Sequence, residues 1–343
     1  MREIVCVVAL LLTTSLAQQS NNDLQRHWTY NAKAPLEIKQ SGVERRGDVQ
    51  IQDLSYATEV GNRSSSLGPN VGRVTAYLVI PQGNGPFPAV IYGHWCMPGS
   101  EQMNRNEFLD EAVVLARSGV MSLLPNHVIA TQGFHADESP LNTQQIDVLV
   151  QQVINLRRGA DLLLARKDVD PKRLAYVGHS CDGSVAGLLG GIDKRFKALV
   201  VMAGSLSDVE DVKNQRYQEY RKQVGAEKFD TFIETYSWTD PGKYISHSEG
   251  IPKLLQFAND EPFLNPEQAR RYLPYVSEPK VVHFYDAPHA LNAEATRDRI
   301  NFLSDELKFP KPTPTLVASI PLLKQPPWPK QEAQSSGSQK KKH

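Results

Sequence analysis

The rhythm of apolar and polar positions changes about a quarter of the way along the chain. Three strand-like runs come first, Val49 to Tyr56, Val71 to Ile80 and Pro88 to Gly93, separated by clusters of Gly, Asn, Ser and Pro, the punctuation that ends strands. The first two predict antiparallel strands at a sheet edge. From there strand-like and helix-like stretches alternate, which predicts a parallel sheet with helical crossovers. Leu109 to Ser118 reads as a helix stopped by Gly119, a residue suited to the left-handed position after a helix, and Val120 to Leu124 as the next strand. The longest helical periodicity runs from about Thr143 to Arg166, where Ile146, Leu149, Val150, Val153, Ile154 and Leu163 recur at three- and four-residue intervals. Further strands are expected at Leu174 to Gly178, Ala198 to Ala203, Lys253 to Phe257 and Val281 to Tyr285. Helices are expected from about Gly183, from about Pro266 and up to Leu307, making roughly eight strands in one mostly parallel sheet with helices on both faces.

This pattern occupies residues 48–308. Within it, 205–250 are rich in Tyr, Lys, Glu and Asp without strand alternation and read as a small helical insertion after the sixth strand. Its Tyr217, Tyr220, Phe229, Phe232, Tyr236 and Trp238 would form either a core of its own or a wall over a substrate. Residues 309–343 hold seven prolines up to Pro329 and then a Ser/Gln/Lys run, and are expected to be disordered. At the other end a polar start with Arg2, an apolar run from Ile4 to Leu12 and small residues at Ser15 and Ala17 read as a signal peptide over 1–17, followed by a polar lead-in over 18–47. Export to a secreted or periplasmic location removes Cys6 and leaves Cys96 and Cys181 in an oxidising compartment. No other stretch is apolar enough to span a bilayer.

Charge changes the picture by exclusion. Lys plus Arg and Asp plus Glu number 38 each, so no excess points to nucleic acid or an anionic membrane surface, and a neutral small molecule fits better. Hydrophobic residues at 40% leave ample material for a core. Oligomeric state leaves no trace in the pattern.

The chemistry concentrates in three segments. Leu174-Ala175-Tyr176-Val177-Gly178-His179-Ser180-Cys181-Asp182-Gly183 is an apolar strand running into a Gly-flanked Ser and a small-residue helix. It resembles a nucleophile elbow, a turn so sharp that the residue two before the Ser must be small. Gly178 satisfies that. The position two after Ser180 is usually Gly, but here is Asp182, with Gly183 one step late. Downstream, Leu254-Leu255-Gln256-Phe257-Ala258-Asn259-Asp260-Glu261 ends a strand in acids, and Phe284-Tyr285-Asp286-Ala287-Pro288-His289-Ala290-Leu291-Asn292 ends another in a His before the final helix. Ser, acid and His in that order over residues 48–308 resemble the α/β-hydrolase superfamily, nearest to dienelactone-hydrolase-like and acyl-peptidase-like esterases.

The resemblance implies an α/β-hydrolase fold and a serine hydrolase for an ester-like acyl bond, working through an acyl-enzyme on a small-molecule acyl substrate with no organic cofactor and no metal. Ser180 would be the nucleophile, His289 its base and Glu261 the acid, with Asp260 as the alternative acid. The oxyanion hole would be made by the backbone N–H of Cys181 and that of Trp95 or Cys96, in Val90-Ile91-Tyr92-Gly93-His94-Trp95-Cys96.

Other readings stay open at this point. Ser180 could be a plain helix cap, and His289 and the two acids ordinary surface residues. Cys181 could be the nucleophile of a dienelactone-hydrolase-like enzyme, since Gly183 lies two positions after it. Cys96 and Cys181, both expected at the oxyanion hole, either form a disulfide or remain free. His94 and His179 are expected to order loops, and the spacing of His127 and His135 matches no metal cluster. Asp182 also leaves room for a binding protein that keeps the fold with impaired catalysis.

Overall fold

The computed structural model describes residues 25–326 except 98, 138, 140, 209–214, 261–263 and 265. Nine strands form one sheet in the order β1-β2-β3-β5-β4-β6-β7-β8-β9. They are β1 (Lys39–Arg46), β2 (Val49–Ala57), β3 (Arg73–Ile80), β4 (Phe87–Gly93), β5 (Met121–Pro125), β6 (Val169–His179), β7 (Ala198–Met202), β8 (Lys253–Asp260) and β9 (Lys280–Pro288). The pairs from β1 to β5 on the β3 side are antiparallel and those from β5 through β4 to β9 parallel. The eight expected strands are all present. The ninth, β1, falls within the polar lead-in, because Lys-Gln-Ser-Gly-Val-Glu-Arg-Arg is largely exposed and carries no apolar alternation. Its charges suit an edge strand, where they discourage pairing with another chain.

Every residue of β4, β5 and β7 is buried, as a parallel sheet covered on both faces requires. The helices that cover it are α1 (Leu109–Ala116), α2 (Gln144–Leu164), α3 (Cys181–Ile192) and α8 (Ala293–Leu307). One core, with Tyr56, Ile91, Leu123, Val153, Leu162 and Leu199, lies under α2 and α3. The other, with Val90, Leu115, Val200, Ile300 and Leu303, lies under α1 and α8. A buried ion pair joins the latter two helices: Arg299 donates to Glu111, which also accepts from the Tyr92 hydroxyl at 3.1 Å. A charge pair taken from water needs such extra hydrogen bonds to offset its desolvation.

The insertion lies between β7 and β8 and is helical as expected, with α4 (Gln215–Val224), α5 (Ala226–Tyr236) and α6 (Pro241–Ile245), while α7 (Pro266–Tyr272) follows β8. Tyr220 meets Phe229 at 6.2 Å and Phe232 meets Tyr236 at 5.7 Å within it, whereas Trp238 leaves it to stack on His27 at 4.3 Å. The side chain of Tyr217 lies outside the described residues.

The expected disorder beyond residue 308 does not hold up to residue 326. Ser304 donates to the Phe309 carbonyl at 2.6 Å, a short helix α9 (Pro314–Ala318) follows, and Val317 and Ile320 pack on the core beside α8. Gln325 Oε1 then accepts the Ala290 N–H at 3.2 Å. The prolines that argued against a core are compatible with this course, because a strap needs apolar anchors rather than a hydrogen-bond ladder. Residues 327–343 and the expected signal peptide lie outside the described residues.

Deleting residues 310–343 exposes the Val317 and Ile320 contacts and lowers stability by about 2 kcal/mol, seen as a Tm a few degrees lower in thermal unfolding. An unchanged Tm would show that the strap adds nothing to the fold.

Candidate active site

The strand order reverses at β4, which has β5 on one side and β6 on the other. In such sheets ligands bind outside the carboxyl ends of the strands at the point of reversal. Those ends carry His94, Trp95 and Cys96 after β4 and Ser180 after β6.

Ser180 sits between β6 and α3 with φ +58° and ψ −117°, a strained conformation for a residue with a side chain. Its N–H donates to the Met202 carbonyl at 2.7 Å and its carbonyl accepts the first helical bond, from Ser184, at 3.0 Å. The turn is so tight that a Cβ on Gly178 would lie 1.9 Å from the Asp182 carbonyl oxygen, so only glycine fits there. Asp182, the departure from the usual elbow, is accommodated from the neighbouring strand. A Cβ on Gly93 would lie 2.6 Å from the Asp182 Cβ. The missing side chain on β4 therefore makes room for the extra one on α3.

A buried carboxylate joins three loops of the site. Glu107, just before α1, accepts the Trp95 N–H at 2.6 Å through Oε2, and its Oε1 lies 2.6 Å from His179 Nδ1. His179 Nε2 lies 3.0 Å from the His289 carbonyl oxygen. Because a carbonyl only accepts, Nε2 carries a proton and donates it, and Nδ1 shares a second proton with Glu107. The His179 ring is stacked between Trp95 at 5.1 Å and His289 at 5.3 Å. Burial pushes the Glu107 carboxyl well above the usual carboxylate range, against the pull of the Trp95 N–H and the charges of Arg299 and His289.

A second buried group fixes the loop after β5. His94 Nδ1 lies 2.8 Å from the Trp95 carbonyl, so it is the protonated nitrogen, and Nε2 accepts the His127 N–H at 2.8 Å. Burial lowers the His94 pKa to about 4 and that of His127 well below its ordinary value, so both rings are neutral. His127 Nδ1 accepts from the Ile129 N–H, and its Nε2 lies 3.8 Å from Asp182. Gln152 of α2 donates to both Asp182 oxygens at 3.0 and 3.1 Å. Burial raises the Asp182 carboxyl well above its ordinary range.

The base candidate His289 is 1% exposed on the loop between β9 and α8, and the following Asn292 caps α8 by accepting the Ala295 N–H at 3.0 Å. Asp260 ends β8 in register with Pro288 of β9, one residue from His289. Glu261 lies outside the described residues.

Of the expected oxyanion donors, Trp95 is corrected, since its N–H is taken by Glu107. Among the described residues the Cys96 N–H makes no backbone hydrogen bond. Cys181 opens α3, where the first N–H groups have no acceptor within the helix.

Cys96 and Cys181 form a disulfide with Cα atoms 5.8 Å apart, which decides the alternatives the sequence left open. A half-cystine has no thiolate, so the Cys181 nucleophile reading is overturned. Cys96, His127 and Cys181 hold donor atoms within 4.8 Å of one another, but a metal would need the sulfurs as thiolates, and here they are bonded to each other. His135 is exposed.

Sequence reasoning missed Glu107. The signal it leaves is weak: Glu107 stands just before α1, four residues ahead of Glu111, which shares a helix face with the buried Ala112 and Leu115, and acids among apolar residues call for buried partners.

Among solved structures the chain is similar to the acetyl xylan esterase from Paenibacillus sp. R4, with TM-score 0.65 and 18% identity over 85% of this chain and 94% of that one. It is also similar to acetyl xylan esterase 1 from Thermoanaerobacterium sp. JW/SL YS485, at TM-score 0.62 and 15% identity over 84% and 92%. The glucuronoyl esterase from Solibacter usitatus matches at TM-score 0.58 and 12% identity over 85% and 93%. No family model matches the chain, and no curated protein matches it. The protein has the α/β-hydrolase fold.

Two consequences can be measured. Glu107→Ala strands the buried Trp95 N–H and His179 and costs about 3 kcal/mol in denaturant unfolding, while Glu107→Gln, which keeps both partners, costs less than half as much. Equal losses would show that the two hydrogen bonds carry no weight. His94 has its folded pKa depressed, so its contribution is present above pH 6.5 and lost as pH falls toward 4. His94→Asn therefore loses less stability over that range than the parent chain, by about 3 kcal/mol at full titration, and identical pH slopes would contradict this.

Proposed function

We propose that this protein is a secreted or periplasmic serine hydrolase that cleaves an ester-like acyl bond of a small molecule. The observation that carries the reading is the left-handed backbone of Ser180 at a strand-to-helix junction, one residue from a His179 ring stacked on His289. Neighbours in fold that are named acetyl xylan esterase and glucuronoyl esterase support the choice of ester over other acyl bonds. The disulfide supports export, since such bonds persist in oxidising compartments.

In this reading His289 takes the Ser180 hydroxyl proton as Oγ attacks the substrate carbonyl. The N–H groups of Cys96 and Cys181 receive the oxyanion. His289 then returns its proton to the leaving alcohol, and water activated by the same imidazole releases the acyl group from Ser180. Glu261 holds the tautomer of His289 and stabilises its charged form, with Asp260 as the alternative. The accommodation of Asp182 by Gly93 removes the main objection that the elbow raised.

A fluorophosphonate probe on the mature protein is expected to label Ser180, and Ser180→Ala to abolish labelling and lower kcat on a chromogenic acetyl ester by about 10⁴-fold or more. No label on folded protein would point instead to a binding protein on this fold. Glu261→Gln is expected to lower kcat by roughly 10⁴-fold with Asp260→Asn close to the parent, and the reverse result would assign the acid to Asp260.

A further inference from the structure

Resting on the hydrolase reading above, we propose that the Cys96–Cys181 bridge is a positioning device for the oxyanion hole, and that cleaving it by a dithiol turns the enzyme down without unfolding it. The sheet itself does not hold these two residues together. The register between β4 and β6 ends at Gly93 opposite Gly178, and each cysteine lies three residues beyond that last pair. From there the chains part, one into a loop and the other into α3.

Beyond Cys96 the loop is hydrogen-bonded again, the Met97 carbonyl accepting the Ser100 N–H at 3.2 Å, and before it Trp95 is held by its N–H to Glu107 and its carbonyl to His94. Cys96 comes next, with an N–H that makes no backbone hydrogen bond among the described residues. The link that joins it directly to Cys181 is the covalent bridge between their own side chains, 5.8 Å from Cα to Cα. An oxyanion needs both donors aimed at one point, so a link between the two donor residues acts on the transition state more than on substrate capture.

The bridge is within reach of a reagent, since both cysteines are only partly buried. In the step proposed, a dithiol thiolate attacks one sulfur and the S–S bond breaks. The second thiol then displaces the first cysteine, so two electrons and two protons pass to the protein, leaving two cysteine thiols and a cyclic reagent disulfide.

The test compares the mature protein oxidised, reduced with dithiothreitol, and reoxidised with oxidised glutathione. On reduction kcat for the acetyl ester falls by about 10- to 100-fold, less than the loss of a whole donor, while KM stays within about twofold and the near-UV CD spectrum is retained. Reoxidation restores kcat. Cys96→Ser/Cys181→Ser matches the reduced parent and does not respond to dithiol. A reduced enzyme that keeps its kcat overturns the proposal, and so does loss of near-UV CD on reduction, which would make the bridge a staple of the fold instead. Failure of the hydrolase reading looks different: the oxidised protein would take no fluorophosphonate label, and Ser180→Ala would hydrolyse as well as the parent.

Discussion

The site depends on one carboxylate that lies out of water. Glu107 is tied to the loop after β4 through the Trp95 N–H and to the elbow through His179, and His179 passes the connection on to the His289 carbonyl. Loops at the end of a sheet are ordinarily its most mobile parts. Here three of them converge on a single buried group, and in a low-dielectric interior each of those hydrogen bonds is strong and expensive to leave unmade. The rings of Trp95, His179 and His289 stack in the same order as the bonds run, so packing and polarity reinforce one geometry.

Such an arrangement demands that every neighbour be satisfied. Behind Glu107 the Arg299–Glu111 pair is completed by Tyr92, and on the opposite side Asp182 is held by Gln152. Neutral histidines fill the space between the elbow and the loop after β5, where charged ones could not be afforded, and their tautomers follow from what each nitrogen faces. Polar contacts at the strand ends thus run from Glu107 through Trp95, His94 and His127 to Asp182 and Gln152 of α2.

Two local features are resolved by partners distant in sequence. Asp182 at the elbow is matched by the absence of a side chain at Gly93, and the loop after β4 and the start of α3, which part beyond the sheet register, are rejoined by the disulfide across 85 residues. The strap that runs to Gln325 does a related job for the loop of His289, capping the Ala290 N–H.

The sequence by itself determined the strands and helices of the α/β sheet and the order in which Ser180, the acids and His289 occur along it. Apolar periodicity reports burial directly, and a turn as tight as that at Gly178 leaves a fixed spacing. It missed β1, whose exposed residues carry no such period, and took the strap after residue 308 for disorder, because prolines report only the lack of a regular ladder. Only the tertiary structure decided the contacts of Glu107 and Asp182, the partner of the Trp95 N–H and the fate of the two cysteines. Each of these turns on a contact between residues whose separation along the chain bears no relation to their distance in space, and a lone charged or sulfur-bearing residue leaves no periodic trace of the partner it will meet.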